Sequence, residues 1–524
     1  MTWAWLVRLC LRRSCAYMND AAVRFARRSS VGIGLCIGFV VIAVLVRGTV
    51  LSDWGTVNAD EAELIAQGRA AVRSPVPFTT WTMGTTGPFW VFLIAALGAL
   101  GFPLTLAFAH LLSAVLMGLI GFTGSVIARR ALGDARGLVL TALWWLPLAL
   151  IYPVGGRTDF GALNTELLPG LLVLIAAAVP LKLLEARPWM FAVVGLLGAL
   201  AIGSKYQVLP LVGIVLVVQL ISLRATLRRI LVAALWWVAG ALVPIVVIVL
   251  MVATSPDVSP MLVQQNLGFL GSYAGGVDPA TRLVNSIRLI GTQKVLIAAA
   301  LILARLCVIS TRPVLISRLL YLFAGLVSVV AGGMGFGHYL ILLYVAVILA
   351  VALPVREGAE LLPGRRLKQV VMPVVAAGVV AVVIVLVVVG RVTFSSPATV
   401  VAALSADSVS TDARLATLCP PDSDVMVWGW SPELYSSYSW RNSVPFMSSI
   451  GLTANAENLA LGVDMVEDAV ATSDCVMDAV GSPFFGSAEP LVTSYPQTAE
   501  MLDSRYRAYE HILDCESCTL YVAR

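Results

Sequence analysis

Two acidic residues in tandem, Asp60-Glu61, with Glu63 close behind, begin a stretch that runs on to Gly84-Thr85-Thr86-Gly87-Pro88, directly after the first long apolar run of the chain. Other ionisable residues sit at the edges of later apolar runs: Asp159 and Glu166, then Lys205, then His338 beside Tyr339. Charges kept at the border of hydrocarbon are expensive and are functional candidates by default. A carboxylate there can take the proton of an incoming hydroxyl, and a cation can stabilise a phosphate that departs. Together they meet the needs of one reaction, transfer of a sugar from a lipid-linked phosphate.

Each residue also has a plainer reading. Asp60 and Glu61 suit the start of a helix, as caps or as first-turn acids. Glu63, one turn further, reads as solvated. Lys205 suits a lysine snorkelling to the interface, His338 an interfacial histidine, and His110 a packing or hydrogen-bonding residue inside an apolar run. Trp428, Trp430 and Tyr435 could stack on a sugar, but alternating aromatics on a strand are more often core.

The elements that must position these residues are membrane helices. Of 524 residues, 59% are hydrophobic and only 12% charged, and runs near the roughly 20 apolar residues that a span requires recur from residue 31 to 390. A soluble fold is excluded. The net charge of +5 comes from Arg and Lys clusters in short connections, which carry topology information and give no basic surface for nucleic acid. The basic segment 1–30 lacks a cleavage site and predicts a cytoplasmic N-terminus ahead of a span at 31–51.

Keeping the basic clusters inside then places the acidic loop 52–87 outside, makes 88–102 a juxtamembrane or re-entrant helix, and lets 103–128 cross. Further spans are expected near 137–152, 167–181, 188–204, 207–223, 230–252, 293–309, 319–333, 338–354 and 370–390, with 153–166 and 253–290 as outer loops. The sum is about eleven crossings, for a multi-pass protein of the plasma membrane. Asp60, Glu61, Glu63, Asp159, Glu166, Lys205 and His338-Tyr339, with Arg69, Arg73, Arg157 and Gln264-Gln265-Asn266, then share one face.

Beyond 391 the long apolar runs stop, and 391–524 reads as an extracytoplasmic α/β domain with strands at 424–430 and 519–523 and helical spacing over 455–471 and 497–513. Cys419, Cys475, Cys515 and Cys518 lie here, and four cysteines allow three pairings; structural disulfides or free thiols outweigh a metal site.

The stretches Asp60–Gly68, Pro77-Phe78 and Gly84–Pro88 resemble the first outer loop of bacterial GT-C glycosyltransferases related to the protein O-mannosyltransferases and the dolichyl-phosphate-mannose-protein mannosyltransferase-like family. Asn164–Pro169, Gly203-Ser204-Lys205-Tyr206, Gly337–Leu340 and Val427–Tyr435 resemble later landmarks in the same order. The resemblance implies a GT-C-like module over 31–390, with Asp60 and Glu61 catalytic and Lys205, His338 and Tyr339 on the donor phosphate. Asp159 and Glu166 are expected to serve the acceptor or the sugar.

It also implies a polyprenyl-phosphate sugar donor, direct displacement with inversion, and an extracytoplasmic acceptor that is a protein, a cell-wall glycan or a lipid. The stretch before Gly87-Pro88 lacks the further acids and histidines of many relatives, which leaves the acceptor and any divalent metal ion open. No Gly-x-x-x-x-Gly-Lys loop is present. A secondary transporter would show charges at mid-membrane and a repeated half; a non-catalytic scaffold for envelope assembly would tolerate loss of Asp60.

Overall fold

The computed structural model describes residues 32–45, 58–84, 86–132, 137–138, 141, 145, 162–223, 226–275, 278–292, 312–332, 336–352, 413–429, 431–446, 449–453, 456–480, 489–510 and 518–524. The expected spans at 293–309 and 370–390 lie outside these residues, as do most of 137–152 and the basic N-terminus.

Helices build the first part of the chain: α1 (Gly32–Leu45), α2 (Ala59–Arg73), α3 (Pro88–Ala99), α4 (Leu106–Leu132), α5 (Leu167–Ala177), α6 (Leu181–Ala186) and α7 (Met190–Ile202). They continue with α8 (Leu209–Ser222), α9 (Leu227–Thr254), α10 (Pro260–Gly275), α11 (Pro279–Thr292), α12 (Arg312–Gly332) and α13 (Leu340–Ala352). Among the described residues two stretches, Leu106–Arg130 in α4 and Leu227–Thr254 in α9, are long and apolar enough to cross a bilayer. They differ in surroundings, because α4 is mostly enclosed by other helices whereas α9 exposes nearly all of its apolar surface.

Local sequence sets the ends. Asn58 caps α2, its side chain accepting from the Asp60 amide at 2.9 Å, while Asp60 and Glu61 fill the first turn and Arg73 the last, as the helix dipole favours. Pro88 occupies the first turn of α3, where its missing N–H costs nothing. At 12 residues α3 is short for a span, and so are α5 at 11 and α7 at 13, both expected to cross. The expected outer loop 253–290 folds into α10 and α11, the latter started by Asp278, whose Oδ1 accepts the Ala280 and Thr281 amides at 3.0 Å each.

The C-terminal region is α/β. Strands β1 (Asp424–Trp428), β2 (Arg441–Asn442), β3 (Cys475–Asp478), β4 (Tyr506–Glu510) and β5 (Thr519–Ala523) form a sheet in the order β2-β1-β3-β5-β4. β1 pairs in parallel with β2 and β3; β5 runs antiparallel between β3 and β4. Helices α14 (Ala413–Leu418), α15 (Glu433–Ser437), α16 (Ala456–Leu461), α17 (Val463–Thr472) and α18 (Thr498–Arg505) surround it. The helical spacing over 497–513 ends early. Tyr506 turns inward, its hydroxyl donating to Val470 O and Ser473 O, and the chain continues as β4 on the edge of β5.

A disulfide joins Cys419 to Cys475, both buried, and Cys518 is disulfide-bonded as well; Cys515 lies outside the described residues. Trp428 is fully buried against Tyr495 and donates to Glu489 O at 2.9 Å, so it is core; Trp430 is outside the described residues.

One hydrophobic cluster runs from the helices into the sheet, through Leu64 and Ile65 of α2 and Leu434 and Tyr435 of α15. Polar contacts reinforce the junction. Arg69 donates to Tyr435 O at 3.3 Å and Arg73 to Asn442 Oδ1 at 3.2 Å, while Asn442 donates to Thr80 O at 2.9 Å. From α10, Gln264 reaches Glu457 at 3.3 Å and the Gln265 carbonyl accepts from Asn458 at 3.2 Å.

Two expectations follow. A Cβ on Gly240 of α9 would lie 1.9 Å from Ala192 O of α7, so Gly240→Val should force the two helices apart and cost about 1–3 kcal/mol, read as a lower thermal midpoint of the detergent-purified protein; an unchanged midpoint contradicts the crossing. Burial pushes the Glu433 carboxyl up to about 7 from its ordinary 4.5, opposed by hydrogen bonds from its own amide and from Ser431. The folded chain therefore binds a proton that the unfolded chain releases, and stability falls as pH rises from about 4.5 to about 7. Glu433→Gln should remove that slope and gain on the order of 3 kcal/mol above neutrality, measured as unfolding against pH.

Candidate functional site

Four helix starts converge on one point. Asp60 lies in the first turn of α2, Glu166 at the residue before α5, Lys205 before the 3₁₀ turn Tyr206–Val208 that leads into α8, and His338 in the turn Gly337–Tyr339 that leads into α13. Helix N-termini carry partial positive charge, which favours the two carboxylates.

The charges form a row. Lys205 Nζ is 3.6 Å from Glu166 Oε1, His338 Nε2 is 4.0 Å from Glu166 Oε2, and the same nitrogen is 3.9 Å from Asp60 Oδ2. Glu166 is fully enclosed, and the Lys205 and His338 side chains are 3% and 4% exposed, whereas that of Asp60 is 29% exposed. Asp60 is thus the accessible end of a row of ionisable side chains that is otherwise buried. Lys205 does not snorkel; its ammonium is held inside by Glu166.

Backbone contacts fix each member. The Gly84–Pro88 stretch lies along Gly203-Ser204-Lys205: the Gly87 amide donates to Ser204 O at 3.1 Å, the Phe89 amide to Gly203 O at 3.3 Å, and Thr86 bridges Lys205 in antiparallel fashion. A Cβ on Gly87 would come within 1.9 Å of Gly203 O, so only glycine permits this approach. The turn carrying Glu166 is held from two sides, by Trp90 of α3 donating to Thr165 O and Ser113 of α4 donating to Ala162 O, each at 2.8 Å. Asn266 of α10 accepts the Met83 and Gly84 amides at 3.1 Å each. The His338 ring packs edge-on against the buried Tyr339 ring, with centroids 4.8 Å apart.

Glu61 takes a separate place. It is completely buried, pairs with His110 of α4 at 2.8 Å and accepts the Leu163 amide. It therefore ties α2 to α4 and to the turn before Glu166, next to the row rather than in it.

Glu63 departs from the solvated reading. Its Oε1 accepts from Gln67 at 2.9 Å, and burial, then the Asp60 charge, push its pKa up to about 7 against the opposing pull of Lys205 and that hydrogen bond. Position i+3 from Asp60 on a helix was the signal that put it on the same face. Nothing in the sequence pairs His110 with Glu61, since the two belong to different helices. Asp159 and Arg157 lie outside the described residues. Among the described residues no three His, Cys, Asp or Glu side chains are placed to hold one metal ion.

Breaking the Lys205–Glu166 pair from either side leaves a buried charge without its counterion. Lys205→Met and Glu166→Gln should each destabilise by about 3–5 kcal/mol, and the double variant should lose less than the sum by about 1–3 kcal/mol, in unfolding of the purified protein. Simple additivity would contradict the pairing.

No family model matches the chain, and no curated protein matches it, so the roles of these residues are argued from their geometry.

Proposed function

We propose that the chain is an integral-membrane glycosyltransferase that moves a sugar from a polyprenyl-phosphate carrier to an acceptor hydroxyl outside the cytoplasm. The observation that carries this reading is the row Asp60–His338–Glu166–Lys205, in which one carboxylate is open to a reactant and everything behind it is enclosed. The exposed apolar surface of α9 and the enclosed α4 suit a helical module set in a bilayer. Within this reading the module spans the membrane about eleven times by the positive-inside bias, with the Asp60 end of the helices and the C-terminal α/β region outside.

The step is a direct displacement. The acceptor hydroxyl gives its proton to the Asp60 carboxylate as its oxygen attacks the anomeric carbon; the bond from that carbon to the phosphate oxygen breaks, and the polyprenyl phosphate leaves with the bonding pair. His338, with its Nε2 3.9 Å from the Asp60 carboxylate, orients it. Lys205 and His338 supply the positive potential behind the site, and Glu166 keeps both in place. Glu61, joined to His110, acts by fixing the direction of α2. Glu63, with its raised pKa, can offer a proton to a sugar hydroxyl near neutrality.

Membranes from cells making the protein should transfer radiolabelled sugar from at least one of a panel of polyprenyl-phosphate sugars, and Asp60→Asn at matched abundance should lower the rate by about 10²–10⁴-fold. Transfer unchanged by Asp60→Asn removes this residue as the base. Absence of transfer from every donor overturns the enzyme in favour of a transporter or an assembly scaffold.

A further inference from the structure

Helix α11 is unlike its neighbours. Leu283, Val284 and Ile287 are 51%, 46% and 59% exposed and share one side of the helix, since Ile287 lies four residues on from Leu283 and three on from Val284. Ser286 is buried, Leu289 and Ile290 are partly buried against the core, and the helix contacts α12. Two arginines, Arg282 and Arg288, lie on this short helix, and its only acidic neighbour in sequence, Asp278, is used as its cap.

Its level in the molecule is set by what precedes it. The exposed apolar helix α9 ends at Thr254, and α10 then binds the Met83-Gly84 turn and the C-terminal helices. Helix α11 starts at Pro279, shortly after α10 ends at Gly275, and so follows a helix held at the Asp60 end. An amphipathic helix with an apolar face and flanking arginines at that depth fits the headgroup layer of a bilayer, its apolar side chains at the acyl boundary and its cations on lipid phosphates.

We infer that α11 is an interfacial helix that binds anionic phospholipid headgroups on the membrane face holding the Asp60 site. The inference rests on α9 being embedded in lipid and is independent of sugar transfer. It gives the site a local excess of anionic headgroups beside its entrance, the same chemistry as the phosphate of a lipid-linked donor.

The test uses the full chain in nanodiscs of equal parts zwitterionic and anionic phospholipid, with a photoreactive benzoylphenylalanine at Ile287 or, as a reference, at Val246 of α9, and mass spectrometry of the adducts. Lipid adducts at both positions are expected, those at 287 enriched in the anionic lipid, with the enrichment falling several-fold in Arg282→Gln/Arg288→Gln. Lipid adducts at 246 with only protein or water adducts at 287 would overturn the inference while leaving the membrane reading intact, and anionic enrichment that survives the arginine substitutions would overturn the headgroup contact. No lipid adduct at 246 would overturn both.

Discussion

A buried carboxylate, Glu166, is the point on which the arrangement depends. In a low dielectric its charge is tolerable only with close counterions and oriented dipoles, and these come from chain segments far apart in sequence: Lys205 ahead of α8, His338 ahead of α13, and the N-terminus of α5 itself. Satisfying that one charge obliges three helix starts to meet, and Asp60 on a fourth closes the row at its accessible end. A buried ion pair adds little to stability by itself, but its loss from one side is costly, so it selects one arrangement of helices over others.

The remaining contacts make this meeting point rigid. Gly87 lies flat on Gly203, Trp90 and Ser113 hold the turn before Glu166, and Asn266 holds the turn at Gly84. The C-terminal sheet bears on the same helix that carries Asp60, through Arg69 and Arg73. Two of the arginines in the first acidic stretch, Arg69 and Arg73, therefore serve docking. Preorganised charge of this kind costs no reorganisation when a reaction develops charge nearby.

Much of this was legible in the sequence, because hydropathy and the placement of basic clusters report directly on helices and their ends. Asp60, Glu166, Lys205 and His338 were expected on one side of the membrane, but so were Glu61, Asp159 and several arginines, and nothing in the sequence separated the row from these neighbours. Pairing was not legible. That Glu61 seeks His110 while Asp60 seeks His338 depends on which face of α2 meets α4, and adjacent residues on a helix point about 100° apart. Glu63 was misjudged because its surroundings come from the Gly84 turn and Lys205, both remote in sequence. The early end of α18 was hidden by a spacing that suits helix and strand alike, and the edge of β5 decided it.

In the proposed reaction a lipid-linked sugar meets the accessible Asp60 carboxylate, backed by His338, Glu166 and Lys205. The most direct test is an experimentally determined structure of the protein with a non-transferable analogue, a sugar joined to a polyprenyl phosphonate through carbon. The anomeric carbon is expected beside Asp60, with open space between them for a hydroxyl, and the phosphonate toward the His338 and Lys205 side. An analogue bound away from this row, with Asp60 facing no part of the sugar, would contradict it.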